Sequence, residues 1–146
     1  MKNFFLSLSL LLTVAVSTAF ANEKNNPGVL EVFKQEFAGA QNVSWSWQEG
    51  YQKATFVLGG HRAIAFFTEA NEFAGCMRDL FFDQLPISVM KAVDNRFAAA
   101  DFQEVTEITN SNGTSYQLIA EMNNRKYKIK VNASGDITEV EKNQNK

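Results

Sequence analysis

The sequence predicts an α+β fold: a tandem duplication of a helix plus four-stranded antiparallel meander, with the helices packed on one face of the sheet. Three patterns carry that reading. Apolar residues recur at helical spacing in two places. After each of them the period changes to two, in runs punctuated by turn-forming pairs. The order of elements in the first half then returns in the second.

The first helix opens at Pro27, which suits a first turn with Asn26 as its cap. It should run to about Phe37, because Leu30, Phe33 and Phe37 recur at i, i+3, i+7 while Glu31, Lys34 and Gln35 face water. Ala38-Gly39-Ala40 ends it. Val43, Trp45 and Trp47 then alternate with Ser44, Ser46 and Gln48 as a first strand, closed by a tight Glu49-Gly50 turn. Strands follow over Tyr51 to Leu58, His61 to Phe67 and Phe73 to Phe81, joined by turns at Gly59-Gly60 and Ala70-Asn71.

Pro86 opens a second helix whose Met90, Val93 and Phe97 carry the same stripe, and Ala98-Ala99-Ala100 stands where Ala38-Gly39-Ala40 stood. Four more strands are expected over Phe102 to Thr109, Ser115 to Met122, Arg125 to Val131 and Asp136 to Glu141. Their turns, Asn112-Gly113, Asn123-Asn124 and Ser134-Gly135, are residue types that tolerate positive φ. A shift of 64 positions lays Gly59-Gly60 on Asn123-Asn124 and Ala70-Asn71 on Ser134-Gly135. The units are therefore read as about 27–81 and 86–141, within a single domain over 22–146.

Two-residue turns fix which side chains share a sheet face. In the first unit Val43, Trp45, Trp47, Ala54, Phe56, Leu58, Ala63, Ala65, Phe67, Ala74, Cys76 and Leu80 fall together, and their alanines would let the helix approach closely. The opposite face collects Tyr51, Lys53, Ile64, Phe66, Phe73, Met77 and Phe81, with Arg62 and Asp79 across from one another. In the second unit the matching face holds Glu104, Gln117, Glu121, Lys126, Lys128, Lys130, Glu139 and Glu141, an ordinary solvated surface. An aromatic and Met-rich face rimmed by polar groups is the composition of a partner-binding patch. Burial of the same residues by loops, by the polar leader or by a second copy is the alternative.

Residues 1–21 read as a cleavable signal peptide: Lys2 supplies the positive start, Phe4 to Val16 the apolar run and Ala19-Phe20-Ala21 the small-x-small cleavage site. A permanent anchor is the competing reading, but Ser7, Ser9, Thr13 and Ser17 interrupt the run needed to cross a hydrocarbon core of about 30 Å. Cleavage before Asn22 would leave a periplasmic or secreted protein with 13 basic and 16 acidic side chains. That balance is too mild and too mixed to steer toward nucleic acid or an anionic membrane. One cysteine cannot form an internal disulfide, so Cys76 is either a buried apolar thiol or an intermolecular partner.

No catalytic set is legible. The expected register places Cys76 opposite Ala65, four residues along from His61, which at about 3.4 Å per residue is about 13 Å and too far for a thiolate–imidazole pair. One His, one Cys and scattered carboxylates match no zinc or calcium spacing, and Glu69 and Glu72 merely flank a turn. No cofactor is expected. Asn42, Asn112 and Asn132 head N-x-S/T sequons, which matter only in a glycosylating host.

Taken in order, the helix, the Trp-bearing strand Asn42-Val43-Ser44-Trp45, Tyr51-x-x-Ala54-x-Phe56, Ala65-Phe66-Phe67 entering a turn, and Leu85-Pro86 before a second copy resemble the PepSY-like family. These are small exported proteins, common in Bacteroidetes, similar in fold to the beta-lactamase inhibitory protein. Ala70-Asn71 departs from the more usual Asp-Gly turn. The resemblance covers about Pro27 to Glu141. It implies a curved, helix-backed antiparallel sheet of up to eight strands, in a family without known catalysis, whose helix-free face is concave. The related inhibitory protein grips its enzyme through aromatic residues of such a face.

The expectation is thus an exported non-enzymatic binding module, a protease or hydrolase inhibitor or modulator, acting on an envelope or extracellular protein. Its binding residues would be Tyr51, Lys53, Arg62, Ile64, Phe66, Phe73, Met77 and Phe81. A small-ligand carrier of the cell envelope, holding its cargo between the sheet and a helix, is the alternative. A homodimer is compatible with either.

Overall fold

A computed structural model describes residues 26–143; the signal peptide read at 1–21 and the leader through residue 25 lie outside the described residues. Helix α1 spans Pro27–Glu36, where the Asn26 side chain accepts a hydrogen bond from the Gly28 N–H at 3.1 Å and Pro27 occupies a position that needs no donor. It stops where the Phe37 N–H bonds the Phe33 carbonyl at 2.9 Å, and Gly39, at φ +87°, turns the chain. Val29 and Phe33 are its buried residues, so the inward stripe lies one position from the Leu30 expected at its start.

Four strands follow: β1 (Gln41–Gln48), β2 (Tyr51–Leu58), β3 (His61–Phe67) and β4 (Phe73–Asp79). The expected fourth strand ran to Phe81, but the chain leaves the sheet after Asp79 and makes a single 3₁₀ turn over Phe82–Gln84, tied where the Phe81 N–H donates to Gln84 Oε1 at 2.8 Å. Helix α2 (Ile87–Arg96) buries Val89 and Val93, and β5 (Asp101–Asn110), β6 (Gly113–Met122), β7 (Arg125–Asn132) and β8 (Ile137–Asn143) complete the chain.

The expected fold class, a tandem duplication of four-stranded units, is corrected here. Among the described residues the strands form one antiparallel sheet of eight in the order β1 to β8, with two ten-residue α-helices. The overturning contact is β4 with β5, where Gly75 pairs with Asn110, Met77 with Ile108 and Asp79 with Thr106. A strand edge left at β4 would expose a row of unpaired N–H and C=O groups, and β5 satisfies them in register. Sequence periodicity reports which face a residue takes, not which strand lies beside it, so it could not reveal this joint.

Both helices pack on the same face, over separate cores. Under α1, Phe33 meets the rings of Trp45, Phe56 and Phe67 at centroid distances of 5.3, 5.0 and 6.3 Å. Ala54, Ala63 and Ala65 are the fully buried small residues that let it approach. Under α2 the core is mainly aliphatic: Leu85, Val89, Val93, Val105, Leu118, Ile129 and Val131, closed by Phe97 and Tyr116. Between them on that face runs a polar seam, with Arg78 bonded to Glu107 at 2.9 Å and the Thr109 and Thr114 hydroxyls 3.2 Å apart. Tyr116 stands opposite Glu107, and its pKa is raised by burial and then by that carboxylate.

Candidate interaction face

Register defines the face turned away from the helices. Lys53 pairs with Phe66, Thr55 with Ile64, Ile64 with Met77 and Met77 with Ile108, so these side chains form one surface across β2 to β5. Tyr51 joins it two positions from Lys53, 41 % exposed, with its ring edge-on to Phe66 at 6.4 Å. The Lys53 ammonium donates to Gln48 Oε1 at 2.9 Å, and Arg62 reaches Asp79 at 3.8 Å, an open pair worth little to stability.

Two hollows indent this surface and meet at Met77. One, of about 370 Å³, lies among Tyr51, Phe66, Gly75, Met77, Ile108 and Gln48. The other, of about 580 Å³, lies among Arg62, Ile64, Met77, Asp79, Phe81 and Glu104. Gly75, in the wall of the first hollow, lets β4 lie close against β5: a Cβ there would stand 2.9 Å from the Thr109 carbonyl oxygen, so no larger residue fits without a shift.

Seven of the eight residues singled out from sequence line this region, and Phe73 does not. The expected two-residue turn at Ala70-Asn71 is a longer connection: the Thr68 N–H bonds the Glu72 carbonyl, and Asn71 takes φ +66°. A bulge at Ala74 then sets Phe73 opposite Phe67 while Gly75 stays opposite Phe66. The extra residue reverses the side on which Phe73 emerges, and its ring packs 5.8 Å from both Phe37 and Phe67 under α1. Beyond the bulge Cys76 does stand opposite Ala65. Phe81 lies past the end of β4, 68 % exposed, with its ring 5.3 Å from that of His61.

Sequence reasoning missed Ile108, because it enters the surface through the β4–β5 joint, and Gly75, because a residue without a side chain carries no face pattern. It also missed Gln52 on the helix side. Only 3 % exposed, Gln52 donates to the Thr68 carbonyl at 3.2 Å and to Asn71 Oδ1 at 3.1 Å, pinning the β3–β4 connection. No local pattern marks such a buried amide.

Burial pushes the Cys76 thiol up to about 11, so it is a poor nucleophile near neutrality. Among the described residues no group of three or more His, Cys, Asp and Glu side chains could hold a metal ion. On β6 to β8 the same surface is ionic: Glu121 sits 3.7 Å from Lys126, Lys130 pairs with Glu139, and Lys128 stands across from Glu141. The hydrogen bond within the Lys130–Glu139 pair raises the lysine pKa and lowers that of the carboxyl.

The fold is that of BLIP-like proteins. A BLIP-like protein from Bacteroides fragilis is similar over 83 % of this chain and 88 % of its own, with a TM-score of 0.73 and 15 % identity. A DUF2874 family protein from Bacteroides uniformis has a TM-score of 0.72 and 22 % identity, over 81 % and 89 % of the two chains. A candidate periplasmic protein from Bacteroides eggerthii has a TM-score of 0.71 and 22 % identity, over 80 % and 88 %. Identities this low carry the architecture alone. No family model and no curated protein matches the chain. Among the described residues no helix is long and apolar enough to cross a membrane.

Proposed function

We propose that this chain is an exported, non-catalytic binding protein of the cell envelope, PepSY-like in family, that inhibits or modulates a hydrolase through the helix-free face of β2 to β5. One observation carries the reading: two hollows share Met77 on a solvent-facing sheet surface edged by Tyr51 and Phe81. Aromatic and Met anchors beside pockets, with separable charges at the rim, are the arrangement in which a few residues supply most of a partner's binding energy. Arg62 and Lys53, held only by exposed polar partners, are free to exchange those contacts for a partner's. The periplasmic assignment of the Bacteroides eggerthii protein and the signal-like residues 1–21 support the location.

Phe66→Ala and Met77→Ala test the reading against Lys128→Ala on the ionic half. The first two are expected to lose at least about tenfold in affinity for a partner captured from the host's envelope, equivalent to about 1.4 kcal/mol, with the circular dichroism spectrum unchanged. Lys128→Ala should bind as the parent does. Equal binding by all three variants refutes the assignment of the face.

A further inference from the structure

Among the described residues the sheet has two edges, because β1 pairs only with β2 and β8 only with β7. An edge strand turns unpaired N–H and C=O groups outward, and proteins blunt such edges with charge. β8 does so, carrying Glu139, Glu141 and Lys142. β1 has no charged side chain along Gln41–Gln48, and it leaves Val43 and Trp47 39 % and 51 % exposed.

The β1–β2 turn determines which backbone groups of β1 are free. Glu49 and Gly50, at φ +51° and +83°, make a two-residue hairpin turn, so Gln48–Tyr51 and Ser46–Lys53 are the hydrogen-bonded pairs. Trp45 and Trp47, which alternate with them, therefore direct their N–H and C=O groups out from the sheet. Alongside, between α1 and β1, lies a hollow of about 280 Å³ with Leu30, Phe33, Phe37, Val43 and Trp45 in its walls.

We propose that β1 is the seat of a two-fold dimer, in which the β1 strands of two copies pair antiparallel about Trp45 and Trp47 of each enters the hollow beside Val43 of the other. The register is self-complementary. Centring on Trp45 sets Trp47 across from the partner's Val43 on the helix side, so the two exposed apolar residues of each strand cover one another. Ser44 then faces the partner's Ser46 on the other side, with no like charges opposed.

The same operation at β8 fails. Centred on Val140 it would bring Glu139 against the partner's Glu141, two carboxylates directly opposed. One competent edge and one blocked edge give a closed pair and not a filament. The bulge between Gln41 and Ser44, with Asn42 at φ +53°, ends the pairable stretch. The proposal is independent of the binding face over β2 to β5, which stays open in the dimer.

Sedimentation equilibrium of the purified protein over a concentration series is the test. The S44E/S46E variant keeps the monomer intact, since a carboxylate at 46 faces Lys53 in its own chain, yet opposes two pairs of carboxylates across the dimer. It should weaken dimerisation at least about tenfold. S44K/S46K, whose lysine at 46 stands across from Lys53 in its own chain and whose fold is therefore checked by circular dichroism, should do the same alone, and an equimolar mixture of the two should restore the dimer. Trp47→Ala should weaken it without any change of charge. A wild type that stays monomeric throughout, a dimer indifferent to both double substitutions, or a mixture that fails to restore association would each overturn the proposal. So would a monomer that instead adds an extended peptide along β1.

Discussion

The two halves of the sheet use the same pairing geometry and opposite chemistry. Over β2 to β4 the helix-free surface is Tyr51, Ile64, Phe66 and Met77; over β6 to β8 it is Glu121, Lys126, Lys128, Lys130, Glu139 and Glu141. The cores beneath differ as well. The first relies on few large rings set against alanines, the second on many aliphatic side chains. The contrast teaches that one backbone plan can hold a sticky surface on one side and a self-solvating surface on the other, because register alone decides which side chains reach water.

The largest test of this contrast lies in the cores. If the first is concentrated in its rings, Phe56→Ala should cost about 3–5 kcal/mol, while Ile129→Val in the second should cost about 0.5–1.5 kcal/mol. Urea denaturation midpoints measure both, and equal losses would break the distinction.

A smaller effect is expected at the seam. The Cys76 thiol is raised from 9.0 to about 11, chiefly by burial, with Arg78 lowering it and Glu107 raising it. Its folded pKa exceeds the unfolded one, so the contribution is fully present below about pH 9 and is lost as pH rises from about 9 to 11. Cys76→Ala should flatten the fall in stability over that window. In the parent, thiol-reactive reagents at pH 8 should label Cys76 far more slowly than they label the unfolded chain.

The smallest change belongs to the ionic surface. Lys130→Ala removes the partner of Glu139 at a solvated site, and its melting midpoint should be indistinguishable from the parent's in moderate salt. A clear drop would show that the charged half is structurally as demanding as the aromatic one.

Much of this was legible in sequence, for reasons that differ by residue. Asn26-Pro27 marked the start of α1 because capping is local, and Glu49-Gly50, Gly59-Gly60 and Asn123-Asn124 marked turns because positive φ is local. The Ala54–Ala65 pair followed from the Gly59-Gly60 turn by counting, whereas Ala65–Cys76 holds because the bulge at Ala74 offsets the longer β3–β4 connection. What failed was non-local or one residue out of step. Phe73 was misassigned because the bulge at Ala74 reverses parity beside the turn, and nothing in Phe73-Ala74-Gly75 announces it. The β4–β5 joint was invisible because its strands are separated by α2, so Ile108 could not be counted onto the surface it completes.

The polar seam of Arg78, Glu107, Thr109 and Thr114 keeps the two apolar cores from merging. Residues that share no neighbours contribute to stability nearly additively, so a substitution near Phe56 should be felt under α1 and scarcely under α2. Each core is then free to drift in sequence without a compensating change in the other. An architecture partitioned in this way is compatible with the low identity, 15 % to 22 %, between this chain and solved proteins that share its shape.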